Sequence, residues 1–154
     1  VIPWIVLGIG AAIVLFAWAA SSSNGGTSVP SALANAVSIA EGLPVAGSVP
    51  QRANNPGDLE LGDQGQGTIG GKTIFASLED GWAALERELE LITSGTSPVY
   101  NSYAQSLGLQ DSSQLSISQV AQKYTGGDNP DAWANTVASE LGVTPDTAIG
   151  DVSA

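Results

Sequence analysis

Residues 44–76 are so dense in glycine and proline that neither a long helix nor a long strand fits there. Helical patterns flank this stretch at 31–43 and 77–94. A fold for this chain must therefore set two helices around an irregular loop. The first pattern runs Ser31-Ala-Leu-Ala-Asn-Ala-Val-Ser-Ile-Ala-Glu41-Gly42, with Leu33, Val37 and Ala40 as its stripe and Ser31 as its cap. Glu41 is the only charged residue in the first 51 positions. It closes a helix just before a glycine, where the helix dipole disfavours an anion. Such a carboxyl group is a candidate proton donor, because its surroundings favour the neutral form. The plainer reading is a solvated glutamate at a helix end.

Composition narrows the chemistry. The chain of 154 residues has no cysteine and no histidine. That excludes disulfides, thiolate nucleophiles, Ser-His systems and the commonest metal ligand. Catalysis would have to rest on carboxylates, amides, hydroxyls, Lys or Arg. Fifteen acidic residues against four basic ones give a net charge of -11, which argues against binding nucleic acid. Asp58, Glu60 and Asp63 lack the spacing of a calcium loop, so neither a metal nor another cofactor is expected.

Residues 1–20, VIPWIVLGIGAAIVLFAWAA, carry no charge. Roughly 20 helical residues span the ~30 Å hydrocarbon core, and Trp4 and Trp18 lie near the two ends, where indoles favour the interface. A signal peptide would open with basic residues, and this run has none. A single-pass membrane helix is expected over 1–20, followed by a Ser/Gly linker over 21–30.

The rest of the chain reads as mainly helical. Asp58–Leu61 and Thr73–Phe75 suggest strands of a small hairpin, and Asn54-Asn55-Pro56-Gly57 a tight turn. In 77–94, Ser77 caps, with Asp80 completing an S-x-x-D box. Trp82, Leu85, Leu89 and Ile92 form the buried stripe, widened by Leu78 and Leu91; Glu86, Arg87, Glu88 and Glu90 make the wet face. A short helix over 98–107 would turn Val99, Tyr103 and Leu107 inward. Another begins at Ser116 or Ser118 and runs through Tyr124. The last carries Trp133, Val137 and Leu141 and ends at Gly142. The fold class is thus α+β, mainly α, with one domain over 31–143 and a polar tail over 144–154 that docks loosely or frays.

Four segments carry a resemblance. Ile39-Ala-Glu41-Gly42 resembles the helix-ending catalytic glutamate of the lysozyme-like superfamily. Arg52-Ala-Asn-Asn-Pro-Gly-Asp-Leu59 is similar to the NNPGN-L motif of its phage-type, virion-associated lytic transglycosylases. Phe75-Ala-Ser-Leu-Glu-Asp-Gly-Trp-Ala-Ala-Leu85 is similar to their F-x-S-x-E-x-G-x-x-A-L stretch, and Val120-Ala-Gln-Lys-Tyr124-Thr-Gly-Gly to their Y-N-x-G segment. Two positions depart from the pattern: Thr125 stands in place of Asn, and Gly42 in place of the usual Ser.

The resemblance implies a lysozyme-like domain that cleaves peptidoglycan between N-acetylmuramic acid and N-acetylglucosamine. Glu41 would act first as acid and then as base, closing an anhydro ring without a second carboxylate. A lysozyme-type hydrolase would instead recruit Asp58, Glu60 or Asp63. Asn54, Asn55, Asp58 and Tyr124 are the residues expected to bind substrate or shape the site. Tyr124 could bond Glu41 or the glycan, or simply be a core tyrosine. With the anchor, the setting implied is the membrane of a phage virion, alongside other virion proteins, for local wall opening during genome entry. A bacterial envelope is the second setting. The alternative function is a catalytically inactive, membrane-anchored structural or glycan-binding virion protein on the same fold.

The uncharged run makes a direct prediction. Residues 21–154 alone should be soluble, whereas the full chain should partition with lipid or detergent in a flotation assay. A full chain that stays soluble without either would remove the anchor.

Overall fold

Serine hydroxyls begin most of the helices. In a computed structural model that describes residues 29–61 and 66–152, Ser31 accepts from the Ala34 amide to start α1 (Ala32–Ala40). Ser48 caps the one-turn α2 (Val49–Arg52), Ser77 caps α3 (Leu78–Thr93), and Ser97 caps α4 (Pro98–Ser106). Ser116 opens α5 (Ile117–Tyr124) in a reciprocal capping box with Gln119. Only α6 (Pro130–Leu141) lacks a side-chain cap among these six; Asn129 precedes it in a left-handed conformation and Pro130 fixes its first turn. Two 3₁₀ turns, Ser112–Gln114 and Ile149–Asp151, complete the helical elements. The molecule is mainly α, and its sheet is a two-stranded antiparallel hairpin.

The second strand of that hairpin overlaps the expected Thr73–Phe75 run, but its first strand does not lie at Asp58–Leu61. Its strands are β1 (Thr68–Ile69) and β2 (Lys72–Thr73), with Thr68 opposite Thr73 and Ile69 opposite Lys72. Gly70 and Gly71, with φ of 58° and 85°, supply the turn that such a two-residue connection requires. Residues 58–61 run beside Thr73 without forming a strand. The Thr73 amide donates to the Leu59 carbonyl and the Leu61 amide to the Thr73 hydroxyl, so side chains replace part of the ladder.

The core forms where α1 packs on α6, α6 on α5, and α3 on α1. Val37, Leu85, Ile92, Val120 and Val137 are all essentially inaccessible there. Two helix faces and the tail differ from the sequence pattern. On α3, Leu78 is 43% exposed and Trp82 only partly buried, whereas Glu88 is buried. Helical spacing accounts for Glu88, which falls between Leu85 and Ile92 on the inner stripe despite its charge. On α4, Tyr100 and Ala104 are the buried pair, and Leu107 is exposed because the helix ends before it. Val99 and Tyr103 only flank the core. The polar tail is docked through residue 152: Ile149 and Val152 are buried, and the Ile149 amide donates to the Leu115 carbonyl. On the wet face, Arg87 and Glu90 form an exposed pair at 3.1 Å.

The N-terminus of α1 is clamped from outside. Glu86 of α3 accepts from both the amide and the hydroxyl of Ser31, at 2.6 and 2.9 Å. A carboxylate at a helix start satisfies free N–H groups and complements the dipole. The span expected over 1–20 lies outside the described residues, and no helix within them is long and apolar enough to cross a membrane.

Gly81 lets α3 close on the loop before it. A β-carbon there would collide with the Asn54 carbonyl oxygen and crowd Pro56. Gly81→Ala should therefore cost about 1–3 kcal/mol, despite alanine's better helix propensity, because backbone must move to make room. Thermal unfolding of the soluble domain checks this; unchanged stability would mean that the loop yields freely.

Candidate functional site

Glu41 is the C-cap of α1. Its amide still donates to the Val37 carbonyl at 2.9 Å, and Gly42, with φ of 85°, turns the chain away behind it. The carboxyl group therefore stands at the end of a buried helix, itself only partly exposed. It borders a cavity of about 360 Å³ also lined by Asp58, Lys72, Tyr124, Thr125 and Trp133. That volume is of the size that takes small ligands.

Three of the five site residues expected from sequence meet here: Glu41, Asp58 and Tyr124. Asn54 and Asn55 do not line the cavity; they build the loop that holds Asp58. Asn55 is wholly buried, its amide donating to the carbonyls of Leu59 and Thr73, both at 2.9 Å, while its oxygen accepts from the Leu59 amide. Asn54, with φ of 51°, donates to the Phe75 carbonyl. Tyr124 bonds neither Glu41 nor open cavity; its hydroxyl donates to the Gly57 carbonyl at 2.7 Å. Burial, with the charge of Glu41 adding, holds its phenol well above the usual range, so it remains a donor.

Two residues complete the site that sequence pattern did not assign to it. Trp133 of α6 donates its indole N–H to Glu41 Oε1 at 2.6 Å. Its ring packs against that of Tyr124, with centroids 5.2 Å apart and planes tilted by 33°. Its apolar spacing on α6 explains the burial but conceals the N–H. Lys72 bridges Asp58 Oδ2 at 3.2 Å and Glu60 Oε1 at 2.8 Å. Burial lowers the Lys72 pKa, but the bonds to Glu60 and Asp58 outweigh it and the net direction is upward. A hint was present in sequence: Lys72 is the only cation between Arg52 and Arg87, in a stretch holding several acids. The other oxygen of Asp58, Oδ1, is buried and has no hydrogen-bond partner among the described residues.

These surroundings make Glu41 a weak acid. Burial pushes its pKa up to about 7; the Trp133 bond pulls it down, the Asp58 charge raises it, and Lys72 lowers it. A carboxyl group neutral near pH 7 at the wall of a cavity can donate a proton to a bound molecule and take one back afterwards. Among the described residues, no group of three or more His, Cys, Asp or Glu is arranged to hold a metal.

No protein-family model, curated protein or solved structure matches this chain.

Raised carboxyl pKa values also set how stability responds to pH. Glu41 moves from 4.5 to about 7, and Glu88 from 4.5 to about 6 through burial alone. Each folds best as the neutral acid. The stability each contributes is complete below about 4.5 and is lost as pH rises through its folded value. Melting temperature should fall across that window. Glu41→Gln should flatten the part of the curve nearest pH 7, and Glu88→Gln the part nearest pH 6. A wild-type curve that is flat across the window would place both groups in solvent.

Proposed function

We propose that the chain is a membrane-anchored enzyme that cleaves the glycan strands of peptidoglycan as a lytic transglycosylase, on a lysozyme-like domain. The observation that carries this reading is Glu41, a partly buried acid with a pKa of about 7 at the wall of a cavity. The resemblance of the surrounding segments to phage-type lytic transglycosylases supplies the substrate class. The proposed setting is the virion membrane of a phage, with the bacterial envelope as the second setting.

In the proposed reaction Glu41 gives its proton to the glycosidic oxygen between N-acetylmuramic acid and N-acetylglucosamine. The bond from the sugar carbon to that oxygen breaks, and positive charge develops on the carbon. The muramic acid's own hydroxyl then attacks, and the Glu41 carboxylate takes back the hydroxyl proton. One residue serves as acid and then as base. Asp58 is held by Lys72 and has no role in moving protons in this scheme.

One observation favours a second reading. Asp58 lines the same cavity and its charge acts on Glu41, which is the arrangement a two-carboxylate hydrolase would use. A glycan-binding scaffold without catalysis is the non-enzymatic alternative, and it gives no reason for an acid of this strength in the cavity wall.

Digestion of purified peptidoglycan, read by product mass, separates the three. Glu41→Gln keeps the shape and loses the proton, so it should fold and bind glycan while losing about a hundredfold or more of the cleavage rate. Asp58→Asn should lose far less, and products should be anhydro-ended. Equal loss in both variants with reducing-end products would make the protein a hydrolase. Intact peptidoglycan after exposure to the wild-type chain, from acidic to neutral pH, would leave the binding reading.

A further inference from the structure

We infer that Trp133 is a positioning residue that decides which oxygen of Glu41 carries the proton: its indole N–H holds Oε1 as an acceptor and confines the proton to Oε2. The inference rests on the proposed role of Glu41 and adds to it a residue and an atom.

The chemistry is restrictive. An indole N–H can only donate, so the oxygen it meets must present a lone pair. In a neutral carboxyl group the better acceptor is the carbonyl oxygen, and at 2.6 Å Oε1 takes that part. The acidic hydrogen then belongs to Oε2. Once Oε2 has given up its proton, the same N–H faces a carboxylate, and the bond becomes charge-assisted and stronger. Trp133 therefore favours the state after proton transfer over the state before it. Such an interaction speeds the chemical step and adds little to binding.

The indole is fixed before any substrate arrives. Trp133 is 5% exposed, lies on the helix that packs most closely with α1, and rests against Tyr124. Tyr124 is in turn tied to Gly57, where a β-carbon would strike Leu85 and crowd the Tyr124 hydroxyl. The other titratable groups around Glu41 do not compete for Oε1. Asp58 and Lys72 are paired with each other across the cavity. Tyr124 spends its hydroxyl on Gly57, and Tyr100, on which the Glu41 charge also acts, is held neutral by burial. Asp128 also lines the cavity and makes no hydrogen bond to Glu41. Among the described residues, Trp133 supplies the one hydrogen bond to the Glu41 side chain.

Trp133→Phe keeps an aromatic ring against Tyr124 and removes the N–H. On purified peptidoglycan, kcat should fall about ten- to a hundredfold, the loss of one bond to a developing charge, while KM changes by less than about threefold. The basic limb of the pH–rate profile should move to higher pH, because a group that favours the carboxylate is gone. A purely structural substitution would not move that limb upward. A limb that stays or moves down, or a loss confined to KM, would overturn the assignment.

A second measurement needs neither this variant nor activity. In the wild-type chain, the Trp133 indole N–H resonance, identified by assigning the other three tryptophans with Trp4→Phe, Trp18→Phe and Trp82→Phe, should move downfield as pH rises through the Glu41 titration. Glu41→Gln should abolish that movement. A wild-type resonance insensitive to pH would overturn the assignment even if peptidoglycan is cleaved. A titrating resonance in a chain that leaves peptidoglycan intact would uphold the proton placement while removing the proposed reaction.

Discussion

One buried amide holds the middle of this molecule together. Asn55 satisfies a donor on Leu59 and two acceptors, on Leu59 and Thr73, from a position with no solvent access. In a larger sheet those backbone groups would pair with neighbouring strands. Here the hairpin has two residues per strand, so a side chain does the pairing. An aspartate in its place would lose both donors, and a leucine would leave buried polar groups unmatched. The position of Asp58, three residues on, and that of Lys72, beside Thr73, both follow from this joint. So does one wall of the cavity.

The opposite wall comes from helix packing. α1 and α6 pack on each other and both bury small and branched residues, Ala34, Ala36 and Val37 on one and Ala134 and Val137 on the other, and the end of the first helix lies beside the indole of the second. Small side chains let the two backbones approach closely. The chain thus supports an unfavourable element, an acid withdrawn from water, with favourable ones that surround it on three sides: a packed helix pair, a stacked aromatic pair and a polar loop.

Much of this was legible in the sequence. Ser31, Ser77 and Ser116 announce helix starts, Gly42 and Gly142 announce ends, and the spacing from Leu85 to Ile92 gives the inner face of α3. The failures have physical causes. Glu88 reads as solvated because charge usually outranks spacing, but Leu89 and Ile92 commit that side of the helix to the core. The face of α4 slips by one residue because Tyr100 and Ala104, an aromatic and a small residue, make a better buried pair than the Val99 and Tyr103 pattern suggests. The hairpin is misplaced because Leu59 and Leu61 alternate as strand residues do, while their partners are side chains. At the site, the position of Glu41 was legible from local sequence. The Trp133 contact joins residues 92 positions apart, and no local pattern encodes it.

The clamp between Ser31 and Glu86 bears on how α1 is held. Two hydrogen bonds couple Ser31 sideways to α3, the longest helix among the described residues. Glu41 stands at the other end of α1, about 15 Å away at the rise of an α-helix. Ser31 is tied to α3 at one end of the helix, while Trp133 holds the acid at the other. Displacing Ser31 would therefore cost two hydrogen bonds to Glu86, at the end of α1 remote from the acid.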